Sequence, residues 1–216
     1  MLRRLQLVGK PADQPEEVHP QRAQDPLRAL ARRACEGEAD AIRELVMELG
    51  GPILRTVRKV LGGGHPDAED VAQEAILGLL SSLQSFRGDC TVLHFAHQVA
   101  LRRALHARRH FKTREKVGDQ VLDAEGHAAA GEAPLEAAIS RERRRIVRSL
   151  LDELPEATAE ALALHFMLGY TVEEIAAMLD VSPNTVWSRL KLGKRSLKRE
   201  LDSNGQLIEL LGGRRS

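Results

Sequence analysis

Apolar residues in this chain recur with the period of the α-helix, and nowhere with the alternation of a strand. Ile42, Leu45, Val46 and Leu49 fall at i, i+3, i+4 and i+7, which predicts a helix over about 38–49. Upstream, Asp25 is placed to cap a helix with Pro26 at its first position, and Leu27, Leu30 and Ala34 give that helix its apolar stripe. Pro52 reads as the start of a separate segment that stops at Gly62-Gly63-Gly64. Pro66 opens a long helix to about Leu83, with Ala68, Val71, Ala72, Ala75, Leu79 and Leu83 as its buried face. Beyond a loop at 85–89, a helix over 92–109 has an inner stripe of Leu93, Ala96, Ala100, Ala104 and Ala107. Its outer stripe is Phe95, Gln98, Arg102, His106 and Arg109.

Residues 113–134 lose the period and contain Gly118, Gly126, Gly131 and Pro134, the signature of a linker. Helical patterning resumes near Leu135 and runs to about Leu201. The expected fold class is therefore all-α, with two small helical domains, 25–112 and 135–202, on either side of a flexible linker. Residues 1–24, polar and holding Pro11, Pro15 and Pro20, are expected to be a disordered extension. Residues 203–216 form a tail whose Leu207, Ile208, Leu210 and Leu211 suit a small packing helix.

The sharpest local pattern lies in the second domain. Thr171 and Glu174 have the spacing of a capping box, in which each side chain satisfies the other residue's backbone N–H. Val172, Ile175, Ala176 and Leu179 follow at helical spacing, and Asp180-Val181 turns the chain. Ser182 then caps a second helix with Pro183 at its first position. Two capped helices joined by a short turn make a DNA-binding helix-turn-helix when the second helix is basic. On that helix Val186, Leu190, Gly193, Leu197 and Leu201 fall on the inward stripe. Asn184, Trp187, Ser188, Lys191, Arg195 and Lys198 fall opposite, with Thr185 and Arg189 beside them. The N-terminal half of such a helix reaches base edges, and later basic residues, here Arg195, Lys198 and Arg199, meet phosphates.

Charge sharpens this picture only when read locally, because the net charge is +1. Residues 101–116 carry seven Lys/Arg against Glu115, and residues 182–199 carry six against no acid. Between them, residues 117–140 carry five acids and no Lys or Arg. Two basic modules separated by an acidic strip point to two contacts on a polyanion. Cys35 and Cys90 are too few for a disulfide framework or a four-cysteine zinc site. Cys90, His94 and His97, or His106 and His110, have spacings a metal can use, but on a basic face they read as surface or DNA-side residues. No catalytic motif is present, so neither enzyme activity nor a cofactor or metal is expected. The N-terminal apolar run is broken at Gly9-Lys10-Pro11, and no stretch reaches the roughly 18 apolar residues of a membrane span. The expected location is cytoplasmic, with no membrane contact.

The string 67–74, then Phe86-Arg87-Gly88-Asp89, then a helix ending in Arg102, Arg103, Arg108 and Arg109, resembles region 2 of bacterial RNA polymerase sigma factors. Leu154-Pro155-Glu156, Gly169-Tyr170-Thr171, Glu174-Ile175-Ala176 and the run 182–190 resemble region 4. The likeness covers about 25–111 and 135–201, and having only these two regions is similar to the extracytoplasmic-function (ECF) group. It implies a factor that directs promoter recognition and transcription initiation, with core RNA polymerase (β′ clamp helices and β flap) and promoter DNA as partners. An anti-sigma factor is an optional further partner. Asp67, Asp70, Gln73 and Glu74 stand where the family docks on the clamp helices. Phe86 and Arg87 lie in the loop that captures a flipped base of the minus-ten element. Phe95, Gln98, Arg102, His106 and Arg109 form the melting face, and 182–199 read the minus-thirty-five element. The acidic linker falls where family members thread the polymerase's RNA channel.

The chain departs from the family at three places. Phe95 and His97 stand at positions usually Trp and Tyr, and Trp187 stands where a basic residue is common. Opening four or five base steps costs about 6 kcal/mol, and one stacked base returns about 1–3 kcal/mol. The polymerase must supply the rest. Two rival readings are a helix-turn-helix regulator that is not a polymerase subunit, and an adaptor that only sequesters a partner. The acidic stripe at Asp70 and Glu74 separates the first rival from a sigma factor, and the basic pair Lys191 and Arg195 separates the second.

Overall fold

The computed structural model describes residues 25–115, 148 and 150–203. The expected extension 1–24, the linker beyond Glu115 and the tail 204–216 lie outside the described residues. Among those described, every regular element is helical. In chain order they are α1 (Arg28–Cys35), α2 (Ala39–Leu61), α3 (Ala68–Ser82), a 3₁₀ turn (Leu83–Ser85) and α4 (Val92–Glu115). A helical stretch over 150–153 precedes α5 (Glu156–Leu162), which widens into a π-helical turn (Ala163–Met167). Then follow α6 (Val172–Leu179) and α7 (Pro183–Ser203).

The main correction to the sequence reading is at Pro52. The expected break is absent, and α2 runs unbroken through it for 23 residues. Proline in a helix interior removes one backbone bond and crowds the preceding turn, and it clashes with the Cβ of the residue before it. That residue is Gly51, which has no Cβ. The buried stripe Leu45, Leu49, Ile53 and Val57 also continues across the proline in steps of four, so core burial offsets the lost bond. On α3 the buried residues are Ala68, Val71, Ala72, Ala75 and Leu79, and Leu83 follows in the 3₁₀ turn, as the periodicity predicts.

Asp25 does more than begin the fold. One of its carboxylate oxygens accepts the Leu27 N–H at 3.1 Å, and the other accepts the Val92 N–H at 2.8 Å. One side chain thus caps the approach to α1 and the start of α4, 67 residues away. The result is a four-helix N-terminal module, with α2, α3 and α4 sharing one core of aliphatic side chains.

The second module is built from α5, α6 and α7. Gly193 is the point where α7 meets α5: a Cβ placed there would lie 2.0 Å from Leu162 Cδ1, so no larger residue permits this approach. The module also packs on α4. Arg108 grips Asp152 through both carboxylate oxygens, at 2.8 and 3.0 Å. Lys59 Nζ donates to the Met167 carbonyl at 3.1 Å, and Arg148 Nε donates to the Lys59 carbonyl at 3.4 Å.

Candidate nucleic-acid interface

The helix-turn-helix forms as its capping residues dictate. The Glu174 N–H donates to Thr171 Oγ1 at 3.2 Å, and the Thr171 N–H donates to Glu174 Oε2 at 2.8 Å. Asp180 ends α6 in the left-handed region, at φ 51°, which short polar side chains tolerate. Ser182 Oγ then accepts the Thr185 N–H at 3.2 Å and starts α7. Val186 and Leu190 are fully buried beneath that helix. Asn184, Trp187, Ser188, Lys191, Arg195 and Lys198 all lie exposed on its other side, whereas Thr185 and Arg189 are half-buried. Trp187 is 56% exposed, a large apolar surface for a residue without a partner beneath it. It borders a shallow groove of about 510 Å³ floored by Leu190 and walled by Lys191, Lys194, Arg195 and Lys198. Lys194 also lies over the exposed Phe166 ring, 5.7 Å from its centroid. Among the described residues, no carboxylate pairs with Lys191, Arg195 or Lys198.

The region around α4 is more enclosed. Phe86, from the loop, stacks on Phe95 with centroids 4.9 Å apart, so both rings are half-buried. Beside them a cleft of about 560 Å³ gathers Arg28 and Arg32 of α1 with the exposed Arg87. Gly88, at φ 79°, lets Arg28 close on the loop: a Cβ there would stand 2.7 Å from Arg28 Nη2. Along α4 the expected division into two stripes holds only in part. Ala96, Ala100 and Ala104 are buried, but so are Val92, Leu101 and Leu105, while Leu93 and Ala107 are half-buried.

The larger departure concerns Gln98. Expected on the outer stripe, it is only 6% exposed. It stands three residues before Leu101 and seven before Leu105, both buried, so the inner face of α4 is wider than the alanine stripe. Arg102, Arg103 and His106 remain exposed, and Arg109 is half-buried. Arg102 pairs with Glu160 at 2.7 Å, and Arg109 pairs with Glu156 at 3.3 Å. His97 Nδ1 meets the Tyr170 hydroxyl, and the Tyr170 ring stands edge-on to His94 with centroids 4.7 Å apart. Burial pushes the His97 imidazole down to about 4 and lowers His94 as well. It raises the Tyr170 phenol, and it raises the Glu160 carboxyl against the opposing pull of Arg102.

The third surface is the start of α3. Asp70, Gln73 and Glu74 are exposed together, and Asp67 at the N-cap is half-buried beside His65. Carboxylates in this first turn also complement the helix macrodipole. One turn beyond, Leu77 is 67% exposed, an apolar addition to the ridge that charge patterning did not single out. Glu156, Glu160 and Tyr170 were likewise missed as partners of α4. Glu156 and Glu160 do share one helix face, but nothing local says which helix they meet. Among the described residues, no cluster of three or more His, Cys, Asp or Glu is placed to hold a metal. No described helix is long and apolar enough to cross a membrane.

Residues 45–114 match the family described as sigma-70 region 2, and residues 144–197 match that described as sigma-70, region 4. Together they take in more than half of the 216 residues. The chain is 29% identical over 167 residues to the ECF RNA polymerase sigma-E factor of Escherichia coli (strain K12), covering 74% of this chain and 86% of that protein. It is 25% identical over 183 residues to the protein of the same name from Haemophilus influenzae, covering 80% of this chain and 94% of that one. Among solved structures it is similar to CnrH, determined in complex with the cytosolic domain of CnrY. The TM-score is 0.50 at 21% identity, over 82% of this chain and 97% of that one, a likeness of fold.

Proposed function

We propose the following division of labour for a chain that belongs to the sigma-70 family of RNA polymerase sigma factors, in its extracytoplasmic-function group. The protein binds core RNA polymerase and directs it to promoters. In our reading it catalyses no reaction of its own and works in the cytoplasm. The module of α5–α7 reads the minus-thirty-five element, with α7 in the major groove. Asn184, Trp187 and Ser188 meet base edges there, assisted by Lys191, while Arg195 and Lys198 hold phosphates. The module of α1–α4 takes the melted minus-ten strand along Phe86, Arg87, Phe95, Arg102, His106 and Arg109. Gln98, being buried, supports that face from beneath. Asp70, Gln73 and Glu74 hold the polymerase, with Leu77 adding apolar contact.

One observation carries this reading: a capped helix, free of acids as far as Arg199, presents six exposed polar, basic and aromatic residues on one side while its other side seals a core. A regulator that works without being a polymerase subunit has no use for the region 2 match over 45–114. The test is run-off transcription with core polymerase on promoter fragments. Adding the chain should produce defined transcripts. Asp70→Lys with Glu74→Lys should abolish both transcription and capture of the core enzyme, yet lower the thermal midpoint by only a few degrees, because both side chains are exposed and the change costs about 1 kcal/mol through the helix macrodipole. Capture that survives the double charge reversal would refute the docking assignment.

A further inference from the structure

The base-reading face of α7 is chemically lopsided. Over its first turns the exposed side chains are Asn184, Trp187, Ser188 and Lys191. Lys191 can only donate hydrogen bonds, whereas Asn184 and Ser188 can donate or accept. Ser182 and Thr185 are engaged in the cap: their hydroxyls bond each other at 2.9 Å, and Ser182 Oγ takes the Thr185 N–H. Arg189 is half-buried, close enough to Glu160 for its charge to pull on that carboxyl. Trp187 is the one aromatic residue of α7, and 56% of it is exposed. It borders the groove of about 510 Å³ floored by Leu190, whose other walls are Lys191, Lys194, Arg195 and Lys198 with their aliphatic stems.

We propose that Trp187 sets the sequence preference of α7 by packing its ring on the C5 methyl group of a thymine, so that the element read by this chain holds a fixed T·A pair at that contact; this rests on the minus-thirty-five role given to α7 above. An apolar ring set among cations fits duplex DNA, whose phosphates meet the charge while a base edge meets the ring. In the major groove the apolar group that a base edge presents is the thymine methyl. Guanine, adenine and cytosine offer hydrogen-bonding atoms there, and an indole face answers none of them.

The neighbours of Trp187 place that pair within a longer element. One turn of an α-helix advances about 5.4 Å and one base pair about 3.4 Å, so Asn184, Trp187 and Lys191 address pairs close together. The Asn184 amide matches the N6 and N7 edge of adenine, and the Lys191 ammonium matches O6 and N7 of guanine. Cytosine presents an amino donor, and residues 182–199 hold no carboxylate to receive it. Hydrogen bonds thus serve the outer positions, and the apolar contact at Trp187 lies between them.

The test uses the full chain bound to core RNA polymerase and a library of random-sequence duplexes. Selection should enrich an upstream element with a fixed T·A pair. Uracil in place of that thymine removes the methyl group and nothing else, and should weaken holoenzyme binding about fourfold, the contribution of one buried methyl group. Trp187→Phe, still a carbon ring, should keep the thymine-over-uracil ratio, and Trp187→Ala should bring it to about one. Trp187→Arg should change the enriched pair at that position to one with guanine on the same strand, since a guanidinium pairs with O6 and N7. All three exchanges are made on an exposed side chain and leave the core beneath α7 alone. An enriched element with no methyl effect at any thymine, or an effect undiminished in Trp187→Ala, would overturn the proposal and leave α7 as the reader. Where Trp187→Ala binds too weakly for a ratio, Trp187→Arg decides: a library that still enriches thymine there overturns it. Selection that enriches no upstream element would sink the role of α7 itself, and the proposal with it.

Discussion

Two helices of this protein carry nearly the same charge and meet opposite fates. Residues 101–116 and 182–199 have matching local excesses of Lys and Arg. On α4, Arg102, Arg108 and Arg109 are each met by a carboxylate of the other module. On α7, Lys191, Arg195 and Lys198 face outward with no carboxylate among the described residues. Charge density therefore sets where a polyanion is welcome, while tertiary packing decides whether the place is vacant. The difference suits the two targets. Duplex DNA is present before polymerase acts, whereas a melted strand exists only afterwards.

The strongest way to break the comparison is to remove one side of it. Gly193→Val drives a branched side chain into Leu162, where even a Cβ would stand 2.0 Å away. Overpacking of this kind costs about 3 kcal/mol. The α5–α7 module should lose its fold, and minus-thirty-five recognition should vanish while core polymerase is still captured through α3. Thermal denaturation and a pull-down check the two halves. Loss of polymerase capture together with DNA recognition would mean that the modules do not fold separately.

A milder change sharpens the contrast. Arg195→Ala and Lys198→Ala should weaken promoter binding by the holoenzyme across all sequences, and each should lower the slope of log affinity against log salt by about 1. Arg102→Ala should leave the duplex part of that slope unchanged, since its charge is directed to Glu160 or to the melted strand. A salt titration on duplex and on pre-melted promoters separates the two. Equal slopes for all three variants would erase the proposed distinction between the helices.

Much of this was legible in the sequence wherever a local rule decided the outcome. The capping box at Thr171, the Ser182 cap, the buried stripe of α3 and the outward face of α7 all follow from spacing within one element. Pro52 was misread because the rule for proline was applied without its neighbour: Gly51 removes the clash that normally ends a helix. Gln98 was misplaced for a different reason. It lines up with the buried Leu101 and Leu105, which an inner face drawn through Leu93, Ala96, Ala100, Ala104 and Ala107 leaves out. The pairing of Glu160 with Arg102 spans 58 residues, so no pattern within α4 encodes it.

The finest test of the comparison is acid. His97 is partly buried against Tyr170, with His94, Lys59 and Arg55 as its cationic neighbours, and burial is the main reason it titrates near 4. Once the modules part, it should return towards the ordinary value of about 6.5. The closed form, with the modules packed together, therefore binds fewer protons than the open one. Closure is at full strength above about pH 6.5 and weakens as pH falls towards 4. Glu160 works in the opposite sense, because burial raises its carboxyl and lets the closed form keep a proton longer. At pH 5.5 the imidazole alone favours opening by at most about tenfold over pH 7.5, and by severalfold once solvent screening is counted. Residues 182–199 contain no His, Asp or Glu, so duplex contacts by α7 should stay level over the same interval. Strand binding by the free chain should thus rise on acidification, and His97→Asn should flatten the rise. A rise of equal size in that variant would show that the interface opens for reasons other than this imidazole.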